Sequence, residues 1–189
     1  VNNEVLSIDR KNKEIEVKDL LTGEVYKENY DKLILSPGAR PIVPRIPGIE
    51  NVNVFTIRNV VDIDKLNRFI KEVDGKEVAV IGGGYIGVEA AENLIDGGYN
   101  VSLIEATPQI LKPFDYDMVQ ILHKEMMDHG VNLIVEDKVT GFEKDKVLLE
   151  SGKKIDAKAV VMAIGVTPEV ELAKDAGLEI GETGAIKVD

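Results

Sequence analysis

The stretch Val78–Leu94, VAVIGGGYIGVEAAENL, constrains this chain more than any other. Val78 to Ile81 has the length and β-branched content of a buried strand, and Ile86, Ala90 and Leu94 recur at the four-residue spacing of one helix face. Between them Gly82, Gly84 and Gly87 spell GxGxxG. Each glycine has its own physical task. The first permits the tight strand-to-helix turn, the second lets backbone approach a pyrophosphate, and the third lets the helix pack close to its strand. Phosphates would sit on the helix N-terminus, where free amides and the helix dipole favour anions. Glycine-rich turns also occur where nothing binds, so the flanking strand and helix are what turn the pattern into a candidate dinucleotide site.

The segments that follow extend the same plan. The helix is expected to run to Asp96 and stop at Gly97-Gly98. Val101 to Ile104 reads as a second strand, and Asp115 to His129 as an amphipathic helix with Met118, Leu122 and Met126 inward. Val131 to Val135 is a third strand. Strand, helix, strand, helix, strand is half of a doubly wound parallel sheet. Glu105 stands at the end of the second strand, eighteen residues beyond Gly87, where an acidic side chain can accept hydrogen bonds from both adenosine ribose hydroxyls. A carboxylate there repels a 2′-phosphate, and Ala106 to Gln109 include no arginine, so NADH is favoured over NADPH. Alone, Glu105 would read as a solvated strand-end residue; in this frame the ribose role takes precedence.

Upstream, Val5–Asp9, Glu14–Asp19 and Glu24–Lys27 read as a meander with one wet face. Lys32–Leu35 is a more apolar strand that Ser36-Pro37-Gly38 ends sharply. The prolines of SPGARPIVPRIPG keep that segment extended, as in a linker between two bodies. Val61 to Val73 is expected to be a packing helix, with Ile63, Leu66, Ile70 and Val73 on one face. After Val135 come three more short strands, Val139–Glu143, Lys146–Glu150 and Lys154–Asp156, then the apolar run Ala159–Ile164 and Gly165. A shift of 127 residues lays Leu33-Ile34-Leu35 on Val160-Val161-Met162, Gly38 on Gly165 and Pro41 on Pro168, so the chain carries one plan twice. Only the second copy contains the glycine turn. The last segment, Glu171–Asp189, offers a short helical piece and a hairpin at Thr183-Gly184. The fold class expected is α/β: a Rossmann-like domain with a parallel sheet and a three-stranded β-meander.

A net charge of -11 opposes nonspecific binding to nucleic acid or anionic membranes, and no run approaches about 18 apolar residues. The expected setting is the cytoplasm. The chain has no cysteine, which excludes disulfides, thiolate metal sites and a redox-active thiol within these residues. His123 and His129 read as structural, no metal site is assigned and no catalytic residue presents itself. A start at Val1 without Met suggests a fragment.

Five motifs, YDKLILSPGARP, IPG, VAVIGGGYIGVEAAENL, VSLIEA and AVVMAIGVTPE, together make the chain resemble the middle of a pyridine nucleotide-disulfide oxidoreductase. PFDYDM and AIGVTPEVELAKDAGL are most similar to the coenzyme A-disulfide reductase, NADH oxidase and NADH peroxidase group of that family. The resemblance implies tandem FAD and NAD(P)H domains. Residues 1–44 would be the end of the first FAD-domain half, 45–168 the NAD(P)H-binding domain and 169–189 a return into the FAD domain. It implies that Gly82, Gly84 and Gly87 hold the NADH pyrophosphate and Glu105 the ribose, with Tyr85 and Ile86 where nicotinamide meets flavin and Tyr85 a movable cover. Glu89 would orient the carboxamide, or else be an acid favourably placed in the first helical turn. Phe114 would lie against adenine, or else be a core residue. Gly165 would bring backbone near the nicotinamide, and Ser36, Pro37 and Gly38 near FAD. The implied activity is hydride transfer from NADH to FAD and on to a disulfide, peroxide or oxygen. The implied partners are a small-molecule substrate, the missing FAD-domain and dimerisation segments and, for the full-length protein, a second subunit. This stretch alone is expected to bind NADH weakly and turn nothing over. The competing expectations are a non-catalytic NADH sensor and an ordinary one-domain dehydrogenase.

Overall fold

The computed structural model describes residues 2–188 and divides the chain into two compact units: Pro41–Gly165, and the flanking segments up to Arg40 and from Val166. In the flanking unit, β1 (Asn3–Asp9), β2 (Glu14–Asp19) and β3 (Val25–Asn29) form an antiparallel meander. Of its strand residues Val17 alone is buried, where alternation led us to expect one covered face. The expected strand Lys32–Leu35 is absent: residues 33–38 have no regular structure, and Ile34 is 89% exposed. A strand needs a neighbour to satisfy its amides, and no described strand pairs with this segment. Within the proline-rich stretch, β4 (Ala39–Pro41) finds such a partner downstream.

The larger unit opens with a 3-10 turn at Ile49–Asn51 and β5 (Val54–Phe55), a short strand the sequence pattern does not announce. There follow α1 (Val60–Glu72), β6 (Glu77–Ile81), α2 (Tyr85–Asp96), β7 (Asn100–Ile104), α3 (Tyr116–Asp128) and β8 (Asn132–Ile134). A second meander, β9 (Val139–Glu143), β10 (Lys146–Leu149) and β11 (Lys154–Asp156), precedes β12 (Ala159–Met162). Beyond it, in the flanking unit, β13 (Val166–Pro168) pairs with β4, and α4 (Glu171–Asp175) leads to a bridge between Ile180 and Ile186 around Gly184.

The central sheet is parallel, in the order β5-β12-β6-β7-β8. Because side chains alternate along a strand, each strand serves two cores. Val78, Val80, Val101, Leu103 and Val161 pack under helices through Leu66, Ile70, Ala91, Leu94, Val119 and Met126. Ala79, Ile81, Ile104, Val160 and Met162 face the other way, against Phe142, Val147 and Leu149 of the meander. The near-continuous apolar runs of β6 and β12 follow from burial on both faces. Two expected faces hold except at their first residue: in α1 Leu66 and Ile70 are buried but Ile63 is exposed, and in α3 Leu122 and Met126 pack on the core with Val119 and His123 while Met118 is exposed. Residues 119, 122, 123 and 126 keep the i, i+3, i+4, i+7 spacing of one helix face, and position 118 lies one residue off it.

Candidate functional site

From β6 the sheet grows one way through β7 and β8 and the other way through β12, so the order reverses between β6 and β12. Ligands of open α/β sheets bind outside the strand C-termini at such a reversal. The glycine turn follows β6 there, and Ala163 to Gly165 follow β12.

The turn separates the three glycines by cause. Gly82 has φ 107°, and a Cβ on it would lie 2.5 Å from the Ala163 carbonyl oxygen. A Cβ on Gly87 would lie 1.9 Å from the Gly82 carbonyl oxygen. Both are glycine because the protein leaves no room. Gly84 is different: it is exposed, its φ is an ordinary -78°, and a Cβ there would meet nothing within 4 Å. It caps α2 with no side-chain hydrogen bond and no acidic residue in the first turn, so the first amides of the helix are presented uncapped. An open position beside free amides at a positive helix end fits a pyrophosphate in shape and charge.

Glu105 is not the solvated strand-end residue of its plainer reading. Its Oε2 accepts from the Gly83 amide at 2.7 Å, and its Oε1 from the Thr107 amide at 2.8 Å, with the Thr107 hydroxyl 2.9 Å away. Oε2 carries that single bond, which leaves acceptor capacity for a ribose hydroxyl. The loop after β7 then doubles back over the turn. Leu111, in the left-handed region at φ 46°, donates its amide to Gly83 O at 2.7 Å, and the Ile110 amide donates to His123 Nε2 at 3.3 Å. Thr107, Ile110, Leu111 and His123 are therefore part of the site's framework, and the residue pattern did not single them out for it. An acid followed two residues later by threonine was the legible part, since such hydroxyls bond nearby backbone and side chains.

A cavity of about 500 Å³ opens beside the turn, lined by Arg45, Gly82, Glu105, Asp137, Lys138 and Ile164 among others. Asp137 is buried and held by Ser151, whose hydroxyl and amide donate to it at 2.6 and 3.1 Å. The Ser151 hydroxyl is the main cause that keeps the Asp137 carboxyl below the usual carboxylate range. Asp137 in turn donates its amide to Glu105 O at 3.3 Å.

The other expected residues fall as follows. Tyr85 and Ile86 are exposed at the start of α2, and Tyr85 meets Phe114 edge to face with ring centroids 6.3 Å apart. Phe114 is 48% exposed, so the core alternative for it fails. Glu89 is the fifth residue of α2 and exposed, beyond the first turn where its charge would serve the helix end. Gly165, at φ 133°, accepts from the Ile42 amide at 3.0 Å. Ser36, Pro37 and Gly38 lie exposed in the flanking unit, where Gly38 O accepts from the Glu169 amide at 3.0 Å. Among the described residues no helix is long and apolar enough to cross a membrane.

Comparison with known proteins bears on the family and the fold. A "NADH oxidase" of Methanocaldococcus jannaschii is 38% identical over 182 residues, covering 94% of this chain and 40% of its own length. The crystal structure of reduced Bacillus anthracis CoADR-RHD superposes with a TM-score of 0.94 at 47% identity, over 99% of this chain and 34% of that one. An engineered water-forming NADPH oxidase bound to NADPH, a mutant of the Lactobacillus brevis water-forming NADH oxidase, gives a TM-score of 0.86 at 31% identity, over 100% and 42%. The chain thus spans about 40% of the length of the curated relatives it matches. With the family profile matching residues 1–189 throughout, the chain belongs to the pyridine nucleotide-disulphide oxidoreductases.

Proposed function

We propose that this chain is the NADH-binding part of a flavin-dependent oxidoreductase that passes hydride from NADH to FAD and on to a disulfide of the coenzyme A type, a peroxide or oxygen. One observation carries the nucleotide reading: Gly84 is a glycine that nothing in the protein requires, set beside the uncapped amides of α2. The pyrophosphate lies over Gly82–Gly87, the adenosine ribose bonds Glu105, and Phe114 stands by the adenine. At the other end Tyr85, Ile86, Glu89 and Gly165 frame the nicotinamide. Tyr85 now leans on Phe114, so serving as a cover there requires its ring to swing away when the dinucleotide enters. Ser36, Pro37 and Gly38 present backbone to FAD, and residues 1–44 and 169–189 are parts of the FAD domain. FAD, when bound, supplies the hydride acceptor; these residues align the donor beside it and exclude water. With no cysteine, the chain supplies no thiol for the later electron transfer, so alone it binds NADH without turnover.

Glu105 supports a preference for NADH. The engineered NADPH oxidase replaces a glycine and, eighteen residues later, an aspartate and the alanine that follows it, the latter by arginine. Gly87, Glu105 and Ala106 have the same residue types and spacing, with glutamate for aspartate. Calorimetric titration with both nucleotides tests this. NADH should bind at least about tenfold more tightly than NADPH, and Glu105→Ala should close most of that gap. Equal affinities in the unaltered protein would remove the role given to Glu105.

A further inference from the structure

The loop after β7 is a strap, residues 105–115, tied to the glycine turn from both sides of one residue. Gly83 gives its amide to Glu105 and takes the Leu111 amide on its carbonyl. The Ile110 side chain fills the space at Gly83, where a Cβ would stand 2.5 Å from Ile110 Cγ2. The buried end of the strap hangs on α3, because the Ile110 amide donates to Nε2 of His123, a side chain only 6% exposed. For Nε2 to accept, the ring must be neutral with its proton on Nδ1. An imidazolium would set an N–H against the Ile110 N–H and bury a charge without a partner.

We propose that His123 is a positioning residue of the dinucleotide site: neutral, it latches the strap and so holds Glu105 and the glycine turn in place; protonated, it releases the strap and weakens dinucleotide binding. The proposal rests on the nucleotide reading given above. The charged groups on the elements around it are Glu105, Lys112 and Asp115 on the strap, Glu89, Glu92 and Asp96 on α2, Glu136 after β8, and Asp117, Lys124, Glu125 and Asp128 on α3 itself. None of them is a cause of the shift; burial alone lowers the His123 pKa from its ordinary value. The latch is therefore closed above about pH 6.5 and lost as pH falls through the lower folded value.

ADP-ribose, which keeps the adenosine and pyrophosphate of NADH but not its acid-labile ring, is the probe for a titration between pH 7.5 and 5.5. The partner variant is His123→Gln, whose amide oxygen can take the place of Nε2 without titrating. Both proteins should bind ADP-ribose within about threefold of each other at pH 7.5. Between pH 7.5 and 5.5 the affinity of the unaltered protein should fall by about twofold or more, with about tenfold as the ceiling for a group whose folded pKa lies below 6.5, and that of His123→Gln should stay level within about 1.5-fold. The Ile110 amide NMR resonance should titrate in the unaltered protein alone, with or without ligand. A His123→Gln protein that keeps the full pH slope, or an unaltered protein with none, overturns the proposal. Absence of binding at pH 7.5 removes the nucleotide reading and the proposal with it, and the Ile110 resonance separates that failure from a latch that does not open.

Discussion

Gly82 sits at φ 107° with the Ala163 carbonyl where a side chain would be, so the turn is paid for in backbone freedom at this residue. Gly82→Ala adds left-handed strain to a contact of 2.5 Å with backbone, which can relieve itself only by parting β6 from β12. The expected cost is about 2–4 kcal/mol, read as a shift of the urea midpoint with an unchanged slope. A change within about 0.5 kcal/mol would mean that the turn is freer than its geometry indicates. Glu105 shows how a single residue serves two ends: one carboxylate oxygen fastens Gly83 and the other fastens Thr107. Its position at a strand end was legible in the sequence because the GxGxxG-to-acid spacing is fixed by one β-strand and one helix. Its grip on Gly83 was not, because that bond depends on a loop conformation no local pattern encodes.

Among the elements, those read correctly from sequence have either a clear apolar period or turn residues at their ends, and they include the largely exposed strands β1, β2 and β3. β6, β7 and β12 have apolar residues on both faces, and the meander strands β9 and β11 have turn residues on either side, so period and punctuation agreed. Lys32–Leu35 has the same apolar character but no strand beside it, which shows that composition alone does not supply hydrogen-bond partners. β5 was missed because two residues carry no period; it exists through its parallel register with Val160 and Val161. The junction of β8, β9 and β10 rests on Asp137 and Ser151 and makes an acid-sensitive prediction. The Asp137 pKa is depressed in the folded protein, so its contribution is fully present above about pH 4–5 and is lost as pH falls through the folded value. Ser151→Ala removes the largest cause of that depression. In urea unfolding the variant should be less stable at neutral pH and should approach the unaltered protein as pH falls through the depressed folded value; a gap independent of pH would contradict this account.

For the molecule as a whole, the larger unit is a finished body with two cores, whereas the flanking unit keeps Val5, Leu6, Leu33 and Ile34 exposed and holds an apolar cavity of about 220 Å³. The plan repeated 127 residues apart keeps its glycine and proline positions in the sequence, but residues 33–35 are irregular where residues 160–162 belong to a strand. On the function proposed above, the nucleotide site is the part of the chemistry these residues carry. Gly84→Val tests that site most directly, because the position tolerates a side chain in the protein and would not tolerate one beneath a pyrophosphate. The account predicts a melting temperature within about 3 °C of the unaltered protein and an NADH affinity at least about tenfold lower. An unchanged NADH affinity in the folded variant would contradict it.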